Sequence, residues 1–324
     1  MQYLTSKDIN PHLDLIGEIK KLKKQLNAVI LAHYYQDDEI QDIADFVGDS
    51  LDLSRKAAET SADVIVFCGV KFMAETAFIL NPEKLVLLPD INAGCSLESS
   101  CRPEEFNIFK EKYPDHLVIT YINCSAEIKA LSDIIVTSTN AANIINQLPL
   151  DQKIIFAPDK HLGRYINQQT GRNMVLWNGT CQVHENFSEK ELVKLKTLNP
   201  KAIIIAHPEC PENLLNYAEH IGSTSSLIKY VEKNSPGEFI VLTELGIIHQ
   251  MKKISADNKF YDVPSINETG CALCNSCPHM KLNDLEKLYL CMANKSPSIH
   301  LSTKLVEEGK NPLLKMLEMS KKNF

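Results

Sequence analysis

Several sets of residues recur along this chain in near-constant register, and that recurrence limits the fold more than any other feature. His33, Tyr121 and His207 are separated by 88 and 86 residues, and so are Ser50, Ser138 and Thr224. Each member of the first set precedes its partner in the second by 17. Phe67, Phe156 and Ile240 follow at steps of 89 and 84, and Cys95, Cys181 and Cys277 at 86 and 96. The longer last step fits extra residues around 252–259. Such a period exceeds the roughly 20–50 residues of a solenoid repeat. It suits three copies of a small α/β unit, each a short parallel sheet wrapped by helices. Four landmarks keeping step make a chance alignment of ordinary α/β segments the weaker explanation.

The landmarks fall where apolar runs give way to polar or helical ones. Runs at 28–32, 117–120 and 202–206 read as strands ending in His33 and Tyr35, Tyr121 and Asn123, and His207 and Glu209. Further strands are expected at 64–67, 85–88, 134–136, 154–156, 175–177, 239–242 and 261–263. Gly48-Asp49-Ser50, Thr137-Ser138-Thr139 and Gly222-Ser223-Thr224 precede helical stretches, and Ser, Thr and Asp favour the N-cap. Leu13, Ile16, Ile19, Leu22 and Leu26 recur at helical spacing, predicting an amphipathic helix over 12–27 with its lysines on a solvated face. The expected fold class is α/β: three pseudo-threefold-related αβα units around a central active site. Their bounds are 28–110, 111–195 and 196–300, with 1–27 and 301–324 as flanking helices.

Charge and apolar patterning narrow the function. The net charge is −7, with no basic stripe or helix-turn-helix pattern, so neither nucleic acid nor an anionic membrane is an expected partner. No apolar run approaches the ~20 residues of a spanning helix, and the start lacks a signal peptide's apolar core. Ten cysteines in such a chain point to metal or catalytic use, not a disulfide framework. A cytoplasmic location is expected.

Cys271, Cys274 and Cys277 form a C-x2-C-x2-C run followed by Pro278. A ferredoxin-type run would carry its fourth cysteine at 281, which is Lys281. The run alone fits a cluster completed from elsewhere, a zinc site that also uses His279, or a redox thiol set. Cys68, Cys101, Cys124, Cys210 and Cys291 read as packing residues, and Trp177 as core or cavity wall. The repeat adds a constraint. Ligands of open α/β sheets bind beyond the carboxyl ends of the strands. Three units aimed at one axis would gather one cysteine each, and three thiolates hold a cubane with one iron free of protein ligands. Such an iron acts as a Lewis acid. Helix N-termini near the same centre suit phosphate or carboxylates. Taken singly, His33 and His207 are ordinary structural histidines, Tyr35 and Tyr121 core-capping rings, and Ser50, Ser138, Ser223 and Thr224 helix caps. Together they describe a site for small, strongly anionic substrates.

The chain also resembles the A-type quinolinate synthase family of NAD biosynthesis. The segments that carry the resemblance include LAHYYQDDEIQDIADFVGDSLDLSRKA, LPDINAGCSLES, VLWNGTCQVHENF, IIAHPEC, VLTELGIIHQM and CPHMKLNDLEKLY, in one order across roughly residues 28–290. The resemblance implies a [4Fe–4S] cluster on Cys95, Cys181 and Cys277. It implies condensation of iminoaspartate with dihydroxyacetone phosphate to quinolinate, phosphate and water. Site residues carried over are His33, Tyr35, Ser50, Tyr121, Asn123, Ser138, His207, Glu209, Ser223 and Thr224, with His184 added from CQVHENF. Glu209, His207 and Tyr35 are the expected proton-transfer residues. Iminoaspartate is unstable, so transient contact with the enzyme that produces it is expected. Cys271 and Cys274 are left over, and a reversible disulfide between them is expected to modulate activity. The alternatives are another cluster-dependent hydro-lyase and a non-enzymatic metal sensor.

Overall fold

The structure, a computed structural model, describes residues 3–266, 272–273 and 275–321. Twelve short strands fall into three groups of four. The first sheet holds β1 (Ala28–His33), β2 (Phe46–Gly48), β3 (Val64–Cys68) and β4 (Leu85–Leu87). The second holds β5 (Leu117–Tyr121), β6 (Ile134–Val136), β7 (Ile154–Ala157) and β8 (Val175–Leu176). The third holds β9 (Ile203–Ala206), β10 (His220–Ile221), β11 (Glu238–Leu242) and β12 (Lys259–Asp262). All pairs within these sheets are parallel, and every sheet has the spatial order second, first, third, fourth. The α/β class with three short parallel sheets is therefore as expected.

Strand register gives the repeat an atomic meaning. Ala32 pairs with Cys68, Thr120 with Ala157 and Ala206 with Leu242. His33, Tyr121 and His207 thus occupy one equivalent position, and Tyr35, Asn123 and Glu209 another two residues on. Two differences from the sequence reading emerge. Leu31 pairs with Phe67 and Ile119 with Phe156, but Ile205 pairs with Val241, so Val241 rather than Ile240 is the third-unit equivalent. Both faces of β11 are covered, so the run 239–242 is apolar throughout and hydrophobicity does not mark the register. The short strands β2 and β10 also went unread.

The helix caps differ as well. Asp49 caps the helix Ser50–Glu59, accepting from the Leu51 and Asp52 N–H groups. Ser223 caps the helix Thr224–Lys233. The helix Ala141–Asn146 starts three residues past Ser138, after Asn140. Capping therefore does not occupy the Ser50, Ser138 or Thr224 side chains, which leaves those hydroxyls to be explained otherwise.

The core runs through all three units. One apolar cluster joins the first two sheets and is sealed by Leu313 and Met316 of the long helix Thr303–Met319. A second packs Ile19 and the helix Leu285–Asn294 onto the first sheet through Leu288 and Met292. In the third unit Ile204, Ile240 and Leu242 face one cluster, and Ile205, Phe239 and Val241 the other.

Units one and three meet at a backbone contact that only glycine permits. A Cβ on Gly246 would lie 2.8 Å from the carbonyl carbon of Tyr35 and 2.9 Å from the oxygen of Gln36. Gln41 ties the same contact, its Nε2 donating to the carbonyl oxygens of Tyr34, Gln36 and Gly246 at 3.0, 2.8 and 2.8 Å. Gly246→Ala should lower stability to urea by about 1–3 kcal/mol, the usual range for overpacking. An unchanged unfolding midpoint would contradict this contact.

Candidate active site

The carboxyl ends of the three sheets open onto one shared cavity. The first unit contributes His33, Tyr35, Ser50 and Cys95 to its lining. The second contributes Tyr121, Asn123, Ser138, Cys181 and His184, and the third His207, Glu209, Thr224 and Cys277. Among the residues expected from sequence, Ser223 stands apart as a helix cap outside the lining. Cys271 and Cys274, with the disulfide expected between them, lie outside the described residues.

Glu209 is the hub, with only 3% of its surface exposed. The Tyr121 hydroxyl donates to its Oε1 at 2.6 Å. His184 Nδ1 lies 2.9 Å from its Oε2 and 3.2 Å from Cys181 Sγ. His184 Nε2 is 3.0 Å from Thr243 Oγ1, which is 2.7 Å from the Tyr35 hydroxyl. With Nδ1 protonated, every bond in the chain can point one way. Tyr35 donates to Thr243, Thr243 to His184 and His184 to Glu209. Four side chains from three units thus aim their protons towards one carboxylate.

The other two histidines share a local device. The Tyr35 N–H donates to His33 Nδ1 at 3.2 Å, and the Glu209 N–H to His207 Nδ1 at 3.4 Å. An accepting Nδ1 puts the proton of the neutral ring on Nε2. His207 Nε2 lies 3.3 Å from Ser138 Oγ. Burial pushes both imidazoles down to about 4, so both are neutral at pH 7. Glu209 behaves oppositely: burial alone would raise it, but His184 and the Tyr121 hydroxyl, in direct contact with its two oxygens, hold it below the usual carboxylate range. Burial keeps Tyr35 and Tyr121 well above the normal phenol value, and the nearby Glu209 charge adds to this. At neutral pH the network therefore holds two phenol donors, two neutral imidazoles and a carboxylate acceptor.

Sequence reasoning missed Thr243 and Glu244. They follow β11 directly, at the strand-end position used elsewhere, in a segment whose residues were not singled out. Glu244 is fully buried. Its Oε1 accepts the Cys277 N–H at 3.1 Å, and its Oε2 the Gly246 N–H at 2.6 Å. Lys281 Nζ lies 3.5 Å from Glu244 Oε1 and donates to the Tyr35 carbonyl oxygen at 2.9 Å. Glu244 and Lys281 thus tie the Cys277 loop to the turn carrying Tyr35. Burial raises the Glu244 carboxyl to about 7, against the opposing charge of Lys281. Asp49 was read only as a cap signal. It also reaches the second unit, accepting from Thr139 Oγ1 at 2.7 Å.

Cys95, Cys181 and Cys277 line the cavity together, and burial pushes all three thiols up. Buried thiolates need nearby positive charge, which a bound metal centre supplies. The three sulfurs do not form a single-ion group. Among the described residues, only Cys181, His184 and Glu209 bring donor atoms within 4.8 Å of one another. Three soft donors around one cavity, set wider than one ion needs, could hold a metal centre larger than a single ion.

Together the fold and cavity define an α/β enzyme whose site is shared among three repeats. Comparison with known proteins gives the family. The profile of the quinolinate synthetase A protein family matches residues 17–318. A protein named quinolinate synthase from Gloeothece citriformis is 62% identical over 317 residues, covering 97% of each chain. Others of that name are 61% identical in Microcystis aeruginosa, covering 95% of each chain, and 58% in Cyanophora paradoxa, covering 96% of this chain and 94% of that one. The chain belongs to the quinolinate synthetase A protein family. Among its described residues, no helix is long and apolar enough to cross a membrane.

The buried imidazoles make stability depend on pH. A histidine lowered from 6.5 to about 4 binds a proton in the unfolded chain but not in the native one across that interval. Its contribution is complete above pH 6.5 and shrinks as pH falls towards 4, by on the order of 3 kcal/mol per residue. The urea midpoint should drop between pH 7.5 and 5, and less steeply in His33→Asn/His207→Asn. An identical pH slope in that variant would contradict the assignment.

Proposed function

We propose that this chain is a quinolinate synthase that condenses iminoaspartate with dihydroxyacetone phosphate to give quinolinate, phosphate and water in NAD biosynthesis. The observation that carries the reading is the convergence of strand-end donors from all three units on Glu209, inside the cavity that also holds three thiols. Cys95, Cys181 and Cys277 would hold a [4Fe–4S] cluster, which when bound supplies a Lewis-acidic iron for substrate oxygens. The cytoplasm is the proposed location, with brief contact to the enzyme that makes iminoaspartate as the proposed partnership.

The chain's own residues account for binding and proton movement. The Nε2–H groups of neutral His33 and His207 can donate to carboxylate oxygens without bringing a proton that the substrate could remove. The hydroxyls of Ser50, Ser138 and Thr224, with Asn123 and the N-terminal turn after Ser223, are suited to phosphate and carboxylate. Glu209 takes the proton from carbon during enamine formation and tautomerisation. Tyr35 gives its phenol proton to a leaving hydroxyl, and the proton that Glu209 took from carbon then restores the phenol through His184 and Thr243, the hydrogen bonds of the chain reversing as it passes. Tyr121 keeps the second carboxylate oxygen oriented.

Protein purified without oxygen should contain about four irons and four sulfides with a brown visible band. Cys95→Ser, Cys181→Ser and Cys277→Ser should each lose them. Colourless protein, or an intact cluster in any of these variants, would overturn the ligand assignment. Glu209→Gln should keep iron and sulfide yet lose turnover by roughly 10²–10⁴, the range for general acid–base groups. Thr243→Val, which removes the bridging hydroxyl, should lower kcat by about tenfold or more without changing iron content. Full activity in Thr243→Val would remove the relay.

A further inference from the structure

The cavity holds a second, more compact donor set that overlaps the three cysteines at one residue. His184 Nδ1 lies 3.2 Å from Cys181 Sγ and 2.9 Å from Glu209 Oε2. The donor atoms of Cys181, His184 and Glu209 all fall within 4.8 Å of one another. His184 and Glu209 are 2% and 3% exposed, so the set is built into the interior. A tetrahedral zinc ion takes thiolate sulfur, imidazole nitrogen and carboxylate oxygen at about 2.0–2.3 Å. Donors bonded to one such ion sit roughly 3–4 Å apart, close to the spacings seen here. One thiolate, one imidazole and one carboxylate leave a fourth position facing the cavity. Among the described residues, Cys95 and Cys277 belong to no such group.

We propose that Cys181, His184 and Glu209 form a binding site for a single thiophilic divalent cation such as zinc, occupied when the cluster is absent. Binding converts the Cys181 thiol to thiolate, and the released proton goes to the buffer. His184 coordinates through Nδ1 as the neutral ring, its proton now on Nε2, which donates to Thr243 Oγ1. This bond fixes the ring, as outer contacts do for metal-bound histidines. Cys181 cannot serve this ion and the cluster together. Zinc and cluster assembly therefore compete for one sulfur, and zinc occupies the carboxylate on which the hydrogen-bond network converges. Only this competition rests on the cluster assignment proposed above. The site itself does not.

Cobalt titration of the full-length, cluster-free protein provides the test. Cobalt substitutes for zinc and shows a thiolate charge-transfer band when sulfur is bound. The wild type should develop that band at one ion per chain, as should Cys95→Ser and Cys277→Ser. Cys181→Ser should lose the band, and both His184→Ala and the near-isosteric Glu209→Gln should bind at least about tenfold more weakly. Zinc-loaded protein should take up iron and sulfide more slowly than metal-free protein. A band that disappears in Cys95→Ser or Cys277→Ser would overturn the proposal while leaving a three-thiol cluster site in place. Unchanged affinity in Glu209→Gln, or no cobalt binding at all, would overturn it outright.

Discussion

A carboxylate buried in the interior needs partners, and the site is arranged around meeting that need for Glu209. Left alone, such a group would take up a proton rather than keep its charge. Here one oxygen receives the Tyr121 hydroxyl and the other faces His184, with His207 nearby. The partners come from the second unit and the carboxylate from the third. Tyr35 of the first unit joins through Thr243. Moving the second unit away from the third would strand the charge, so the same hydrogen bonds fix the placement of those two repeats.

Equivalent positions in the three units have diverged in chemistry while keeping their geometry. One strand-end position carries His33, Tyr121 and His207, and the position two residues on carries Tyr35, Asn123 and Glu209. The two histidines share the same Nδ1-accepting contact from the residue two further on. Two residues beyond the third strand of each sheet stand Val70, Asp159 and Glu244. Val70 is apolar core. Burial and the Glu209 charge together hold the Asp159 carboxyl well above its usual value. Glu244 braces the Cys277 loop. A threefold scaffold thus presents an asymmetric set of groups.

Much of this was legible in the sequence because polar residues interrupt apolar runs at strand ends, and those interruptions keep step. The α/β class, the repeat and the positions of His33, Tyr121 and His207 all follow from that one signal. Register within a fully buried strand does not, which is why Ile240 stood in for Val241. Capping was misassigned by one residue at Asp49 and Ser50, since both residue types favour the cap and only backbone geometry separates them. Thr243, just past the expected strand 239–242, was not singled out. Its importance comes from the two side chains it bridges, at residues 35 and 184, which sequence spacing does not connect. Glu244 was likewise invisible as a brace, because its partners are the Cys277 N–H and Lys281 rather than any neighbour in the chain.

The most direct test of the account is a stoichiometric one. Protein handled without oxygen would be supplied with iminoaspartate generated in place and with dihydroxyacetone phosphate, while phosphate and pyridine dicarboxylate are measured together. The account predicts one phosphate released per quinolinate formed, with both lost together in Glu209→Gln. Phosphate release without a pyridine product, or dehydration of an unrelated hydroxy acid in place of condensation, would contradict it.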